Sequence, residues 1–284
     1  MSTVKLLVLG GIAGFTIFLG LPMGRVQSSR KGPKAFLNAV AIGILLFLLW
    51  DVLSHAIEPV EEALTKASLD HTGSWLRFSG LAAVLVSGFA VGLLSLVYYD
   101  RWLGRRGGTL GPAFGPGAAA VEELAPPRWI VHSPARRLAL FIAVGIGLHN
   151  FSEGLAIGQS AAKDEISLAL LLIIGFGLHN ATEGFGIIAP FTDEPVRPSW
   201  GFLFTMGLIG GGPTFLGTLV GHSFVNDTVF LGFLALAAGS ILYVIVQLLH
   251  VASKMGHKEL LMWGLLVGLF LGLATDFVLV AAGA

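Results

Sequence analysis

Two short stretches hold the residues of this chain best suited to chemistry. Residues 145–158 read GIGLHNFSEGLAIG, and residues 175–188, thirty positions on, read GFGLHNATEGFGII. His149, Asn150 and Glu153 of the first correspond to His179, Asn180 and Glu183 of the second, and Ser152 corresponds to Thr182. At about 100° per residue on a helix, Glu153 falls ~40° from His149 and ~60° from Asn150. One narrow face therefore offers an imidazole nitrogen, an amide oxygen and a carboxylate, and the second copy offers the same set. Nitrogen and oxygen donors of this kind suit Zn²⁺, Fe²⁺, Mn²⁺, Co²⁺ or Ni²⁺.

Each copy lies inside an apolar stretch long enough to cross a bilayer. A charged residue at the centre of a span costs roughly 2.5–3.5 kcal/mol, so two unmatched glutamates would cost about 5–7. No lysine or arginine lies near either motif within its span to offset them. Protonation or a bound cation must do so, and the neighbouring histidines favour a cation. The competing reading is a neutral hydrogen-bonded cluster that joins two helices.

Composition names the solvent. The chain is 55% hydrophobic and 12% charged, with 39 glycines, and its mean hydropathy is +0.83. A soluble domain carries about 25% charged residues, so the expectation is an all-α polytopic membrane protein. There are no cysteines, which excludes disulfides, thiolate metal sites and iron–sulfur clusters. A net charge of zero gives no sign of nucleic acid. The first apolar run lacks the basic start and cleavage site of a signal peptide, and is expected to be a retained helix.

Eight apolar runs reach the roughly 20 residues that a bilayer requires. They lie near 4–23, 35–57, 75–98, 137–161, 166–190, 199–223, 228–250 and 259–282, and make residues 1–284 one transmembrane domain. Lysine and arginine concentrate after the first, third, fifth and seventh runs, at Arg25, Arg30, Lys31, Lys34, Arg101, Arg105, Arg106, Arg128, Arg136, Arg137, Arg197, Lys254 and Lys258. Lys5, Lys66, Arg77 and Lys163 lie on the other side. The positive-inside rule then puts both termini outside the cell, in the plasma membrane. Residues 104–127 are rich in Gly, Pro and Ala and are expected to be a flexible cytoplasmic loop.

Asp51 and His55 are i, i+4 on the second run and share a face. Together they are candidates for an entry path to the central site. Glu58, Glu61 and Glu62 beyond them read as a solvated helix end. His222, His250 and His257 read as interfacial residues, and Asp276 has no evident partner in the sequence.

The quoted motifs resemble the ZIP (ZRT/IRT-like protein) family of divalent metal transporters. HNFSEGLAIG is similar to that family's fourth-helix HNFPEGLA pattern, and HNATEG is a looser match to its fifth-helix motif. LGGIAGFTIFLG, GGPTFLGTLVG and ALAAGSILYVIVQLL support the likeness elsewhere. The resemblance implies eight spans arranged as 3+2+3 with inverted outer halves, and no prosthetic group. It implies that His149, Glu153, His179 and Glu183 hold the transported metal, with Asn150 and Asn180 beside a second ion. Ser152 and Thr182 stand where relatives usually carry proline, and can return a hydrogen bond to the helix backbone instead. Gly212, Gln247 and Asn180 stand where many relatives carry acids. Fewer carboxylates lead to the expectation of one strong metal site rather than two.

The expected function is transport of divalent ions into the cytoplasm by alternating access at mid-membrane. Zn²⁺ is the first candidate cargo, and Fe²⁺, Mn²⁺, Co²⁺ and Cd²⁺ have overlapping ligand chemistry. The partners expected are the ion and the lipid bilayer, with a homodimer left open. The alternative from another class is an intramembrane metalloenzyme, hydrolase or di-iron, using the same ligands around an open position for water.

Overall fold

A computed structural model describes residues 3–26, 31–107, 133–162, 166–193, 197–223, 226–254 and 256–281. These residues contain helices and no strand. The helices are α1 (Thr3–Phe15), α2 (Lys31–Ser68), α3 (Trp75–Gly107), α4 (Pro134–Ala162), α5 (Ile166–Ile188), α6 (Trp200–Ser223), α7 (Asp227–Lys254) and α8 (Lys258–Ala281). Together with the turns that extend α1, they supply eight segments long and apolar enough to span a membrane.

Two elements depart from the runs read off the sequence. The first run does not stay α-helical: α1 stops at Phe15 and continues as tight turns over Thr16–Leu19 and Leu21–Arg25. The Thr16 hydroxyl donates to the Ala13 carbonyl at 2.7 Å, and Pro22 at the start of the second turn has no amide hydrogen to continue an α-helix. At the other boundary, α3 runs to Gly107, so residues 104–107 are helix rather than loop. Residues 108–127 of the expected loop lie outside the described residues.

The helices touch where side chains are smallest. A Cβ added at Gly14 would overlap the Gly211 carbonyl oxygen, and one added at Gly211 would overlap that of Gly14. Gly20 meets Gly184 on α5 in the same manner that Gly217 meets Gly154 on α4. Gly43 on α2 meets Gly268 on α8, and in the matching seam Gly239 on α7 meets Phe89 and Leu93 of α3 while Gly92 on α3 meets Leu236 and Ser240 of α7. One operation that exchanges α1 with α6, α2 with α7, α3 with α8 and α4 with α5 maps every one of these contacts onto another. It also carries the first chemical motif onto the second.

The operation reverses chain direction. Along the α1–α6 seam Gly10 meets Thr218, Gly14 meets Gly211 and Gly207 meets Phe18, so one helix ascends as the other descends. This is an inverted repeat of the 3+2+3 kind, with its axis across the helices and through the Gly14–Gly211 contact. Lipid tails are as apolar as leucine, so such helices associate by close packing through small residues rather than by excluding water. α4 is the most enclosed of the eight segments, whereas α3 and α8 are the least. Trp263, Phe270 and Phe277 of α8 are exposed, as expected for a lipid-facing surface.

Candidate metal site

α4 and α5 lie at the centre of this repeat, and their motifs meet. His149, Asn150, Glu153, Asn180 and Glu183 are all at most 4% exposed. Within α4, His149 Nε2 lies 2.9 Å from Glu153 Oε1, as the i, i+4 spacing predicts. Between the helices, the Asn150 amide nitrogen donates to Glu183 Oε2 at 3.2 Å. The second motif's carboxylate is thereby tied to the first motif's asparagine.

The asparagines also anchor the central pair to the outer halves. Asn150 Nδ2 donates to the Gly210 carbonyl of α6 at 2.9 Å, and Asn180 Nδ2 donates to the Ala13 carbonyl of α1 at 3.1 Å. Gly210 and Ala13 precede Gly211 and Gly14, the pair on the repeat axis, so the two bonds are equivalent under the inversion. A carbonyl inside a helix has a second lone pair for such a donor. Because each amide nitrogen is committed to a carbonyl, each Oδ1 is the free acceptor end, and neither has a hydrogen-bond partner among the described residues. Two buried amide oxygens without a hydrogen-bond partner among the described residues, two buried carboxylates and a buried imidazole are donors of the type that a transition-metal cation takes.

His179 occupies the matching position on α5, but its side chain lies outside the described residues. Among the described residues, no group of three or more His, Asp or Glu side chains is placed to hold an ion together. The His149–Glu153 contact and the Asn150–Glu183 bond are therefore the observed geometry of the region.

Asn150→Ala would leave Glu183 Oε2 without this donor and remove the tie to α6. Losing both bonds of the Asn150 amide costs about 0.5–1.5 kcal/mol each, so the variant should unfold at a clearly lower temperature in detergent. An unchanged midpoint would mean that these bonds contribute nothing to the fold.

Ser152 donates to the Leu148 carbonyl at 3.4 Å and to the Phe233 carbonyl of α7 at 3.2 Å. The first contact is the backbone return expected in place of proline, and the second joins α4 to its neighbour. Ser240 of α7 was not singled out by sequence reasoning, yet it is fully buried and donates to the Gly145 carbonyl at 3.2 Å. A serine among small residues in an apolar run carries no signal that distinguishes it from packing. Phe151 and Phe233, with ring centroids 4.9 Å apart, close the same α4–α7 seam.

The proposed entry residues divide between two spaces. His55 Nδ1 lies 2.9 Å from the Asp51 carbonyl oxygen and 3.5 Å from its carboxylate. His55 faces a cleft shared with Glu58, Glu62, Lys66, Arg77 and Asp227. Glu62 pairs there with Lys66, in keeping with a solvated helix end. Asp51 instead lines a cavity of about 250 Å³ with Thr182, Thr275 and Asp276. Asp276, which had no partner in the sequence, therefore shares a space with Asp51 and with the residue beside Glu183. His250 and His257 are exposed, as expected of interfacial residues.

No protein-family profile matches the chain. Similar proteins are the zinc transporter ZupT of Oceanobacillus iheyensis, 28% identical over 278 residues that cover 94% of this chain and 96% of that protein, and the zinc transporter ZupT of Lysinibacillus sphaericus, 28% identical over 265 residues that cover 90% and 93%. The ZIP resemblance read from the fourth-helix motif thus extends over nearly the whole chain.

Proposed function

We propose that this chain is a ZIP-type transporter that moves divalent transition-metal ions, zinc first among them, across the plasma membrane into the cytoplasm. The observation that carries the reading is the Asn150–Glu183 bond, which joins two repeated donor sets from different helices in the buried centre of an inverted repeat. Likeness to zinc transporters along nearly the full chain supports zinc as cargo. It also removes the metalloenzyme alternative, since both relatives are transporters. Lysine and arginine favour one side of the bundle, which supports extracellular termini.

In this reading His149, Glu153, His179 and Glu183 take the ion as it sheds water, with the free oxygens of Asn150 and Asn180 beside it. The inverted halves supply two related arrangements about one site, the geometric requirement of alternating access. Asp51, with His55 at its outer side, supplies negative potential that raises the local cation concentration. Residues 1–284 act as one transport domain.

Purified protein in liposomes should take up Zn²⁺ saturably, and Fe²⁺, Mn²⁺, Co²⁺ or Cd²⁺ at fixed pH should compete to the extent that each shares the site. Absence of flux with all five ions would sink the reading.

A further inference from the structure

Thr214 on α6 is fully buried, and its hydroxyl has no hydrogen-bond partner among the described residues. A threonine or serine inside a helix can return its hydroxyl to the carbonyl four residues back. Thr205, Thr218 and Ser223 of the same helix do so, at 2.9, 2.8 and 3.0 Å. For Thr214 that acceptor would be the Gly210 carbonyl, the one to which Asn150 donates, and the hydroxyl does not return there. A Cβ added at Gly14 would lie 2.9 Å from Thr214 Oγ1, so the hydroxyl borders α1 at the residue next to Ala13. The Ala13 carbonyl is where Asn180 is anchored, and Asn180 Oδ1 also lacks a partner among the described residues. A spare donor and a spare acceptor, both buried, thus border one turn of α1.

The repeat provides an internal comparison. Gly154 of α4 meets the Thr214 carbonyl oxygen, Gly217 and the Thr218 nitrogen, as Gly184 of α5 meets the Ile17 carbonyl oxygen, Gly20 and the Leu21 nitrogen. Thr214 therefore corresponds to Ile17, which is fully buried in the apolar core. Ile17 in turn lies against Gly210, the anchor of Asn150. Each asparagine thus has one of these two residues beside its anchoring carbonyl, an isoleucine for Asn150 and a threonine for Asn180. Packing is satisfied by an apolar side chain in one half, so the hydroxyl in the other half answers to something else.

Resting on the transport reading above, we infer that Thr214 is a positioning residue of the metal site, whose hydroxyl donates to Asn180 Oδ1 once the ion is bound. An amide oxygen has two lone pairs, so one takes the hydroxyl while the other is held toward the ion. Asn150 needs no such donor, because its amide already ties to Glu183. The Thr214–Asn180 bond is not among those of the fold itself and forms with the loaded site, so it adds to ion affinity rather than to folding stability. The effect of Thr214 therefore belongs to half-saturation, not to turnover.

The test measures Zn²⁺ uptake by the full chain in proteoliposomes and its unfolding in detergent with and without Zn²⁺. Thr214→Val keeps the shape and removes the hydroxyl. Its half-saturation should rise about threefold to tenfold, the worth of one neutral hydrogen bond, at parental turnover. Without added Zn²⁺ it should unfold at the parental temperature or above, since an unpartnered buried hydroxyl adds nothing to the fold. Added Zn²⁺ should raise its midpoint less than the parent's. Thr214→Ser should restore parental half-saturation, and Thr214→Ala, which also lacks the hydroxyl, should match Thr214→Val. Thr218→Val loses the bond to the Thr214 carbonyl and should leave half-saturation unchanged. Parental half-saturation in Thr214→Val overturns the inference. So does a rise that Thr214→Ser or Thr218→Val shares, which would mean that the seam acts by packing. If the parent carries no metal ion at all, the transport reading itself falls. With parental flux intact, the other failures remove only the role of Thr214.

Discussion

Glu153→Ala should abolish metal uptake while the protein still inserts and folds. Glu153 is 4% exposed and 2.9 Å from the His149 imidazole, so in the transport reading its charge has no water to lean on until the ion arrives. Removing one partner from a buried charged set costs about 3–5 kcal/mol, a loss in metal affinity of a hundredfold or more by the usual conversion. His149→Ala should behave alike. Added Zn²⁺ should raise the parent's unfolding temperature and leave that of the variant unmoved. Glu153→Gln separates charge from shape, since it preserves volume and should also lose transport. Uptake at the parental rate by Glu153→Gln would remove the carboxylate from the site.

Gly211→Val and Gly212→Val should have opposite outcomes although the residues are neighbours. A side chain at Gly211 meets the Gly14 carbonyl oxygen on α1 and Ile17 in the turn after it, and Gly14 meets Gly211 in return. Neither backbone can yield without separating α1 from α6 on the repeat axis. The separation would also draw the Ala13 and Gly210 carbonyls away from Asn180 and Asn150. Overpacking a well-fitted core costs about 1–3 kcal/mol, and a clash with backbone on both sides belongs at the upper end or beyond. Gly211→Val should therefore yield little monodisperse protein and unfold at a much lower temperature. At Gly212 an added Cβ has nothing within 4 Å, so Gly212→Val should unfold near the parental midpoint. Equal midpoints for the two variants would mean that the α1–α6 contact does not hold the halves together.

Several features were legible from residue order alone, because each depends on short-range periodicity or on solvent. Eight apolar runs implied eight spans, since a bilayer leaves no other way to satisfy their backbone. His149 and Glu153 were placed on one face by the i, i+4 spacing, and the structure has them in contact. The repeated motif put the same residue types at matching positions of α4 and α5, and Asn150 and Asn180 make matching bonds to α6 and α1.

What the tertiary structure decided is whatever depends on which helices become neighbours. No local pattern says that Asn150 reaches Glu183, that its amide closes on Gly210, or that Gly14 lies against Gly211. Those pairings join residues 33, 60 and 197 positions apart, and they follow from the packing of whole helices through small residues. Asp276 could not be interpreted until α8 lay beside α2 and put it in a cavity with Asp51. The sequence by itself determined the chemistry available and the number of crossings, because both are properties of single helices; which donors meet, and where a space is left, was decided by contacts between helices far apart in the chain.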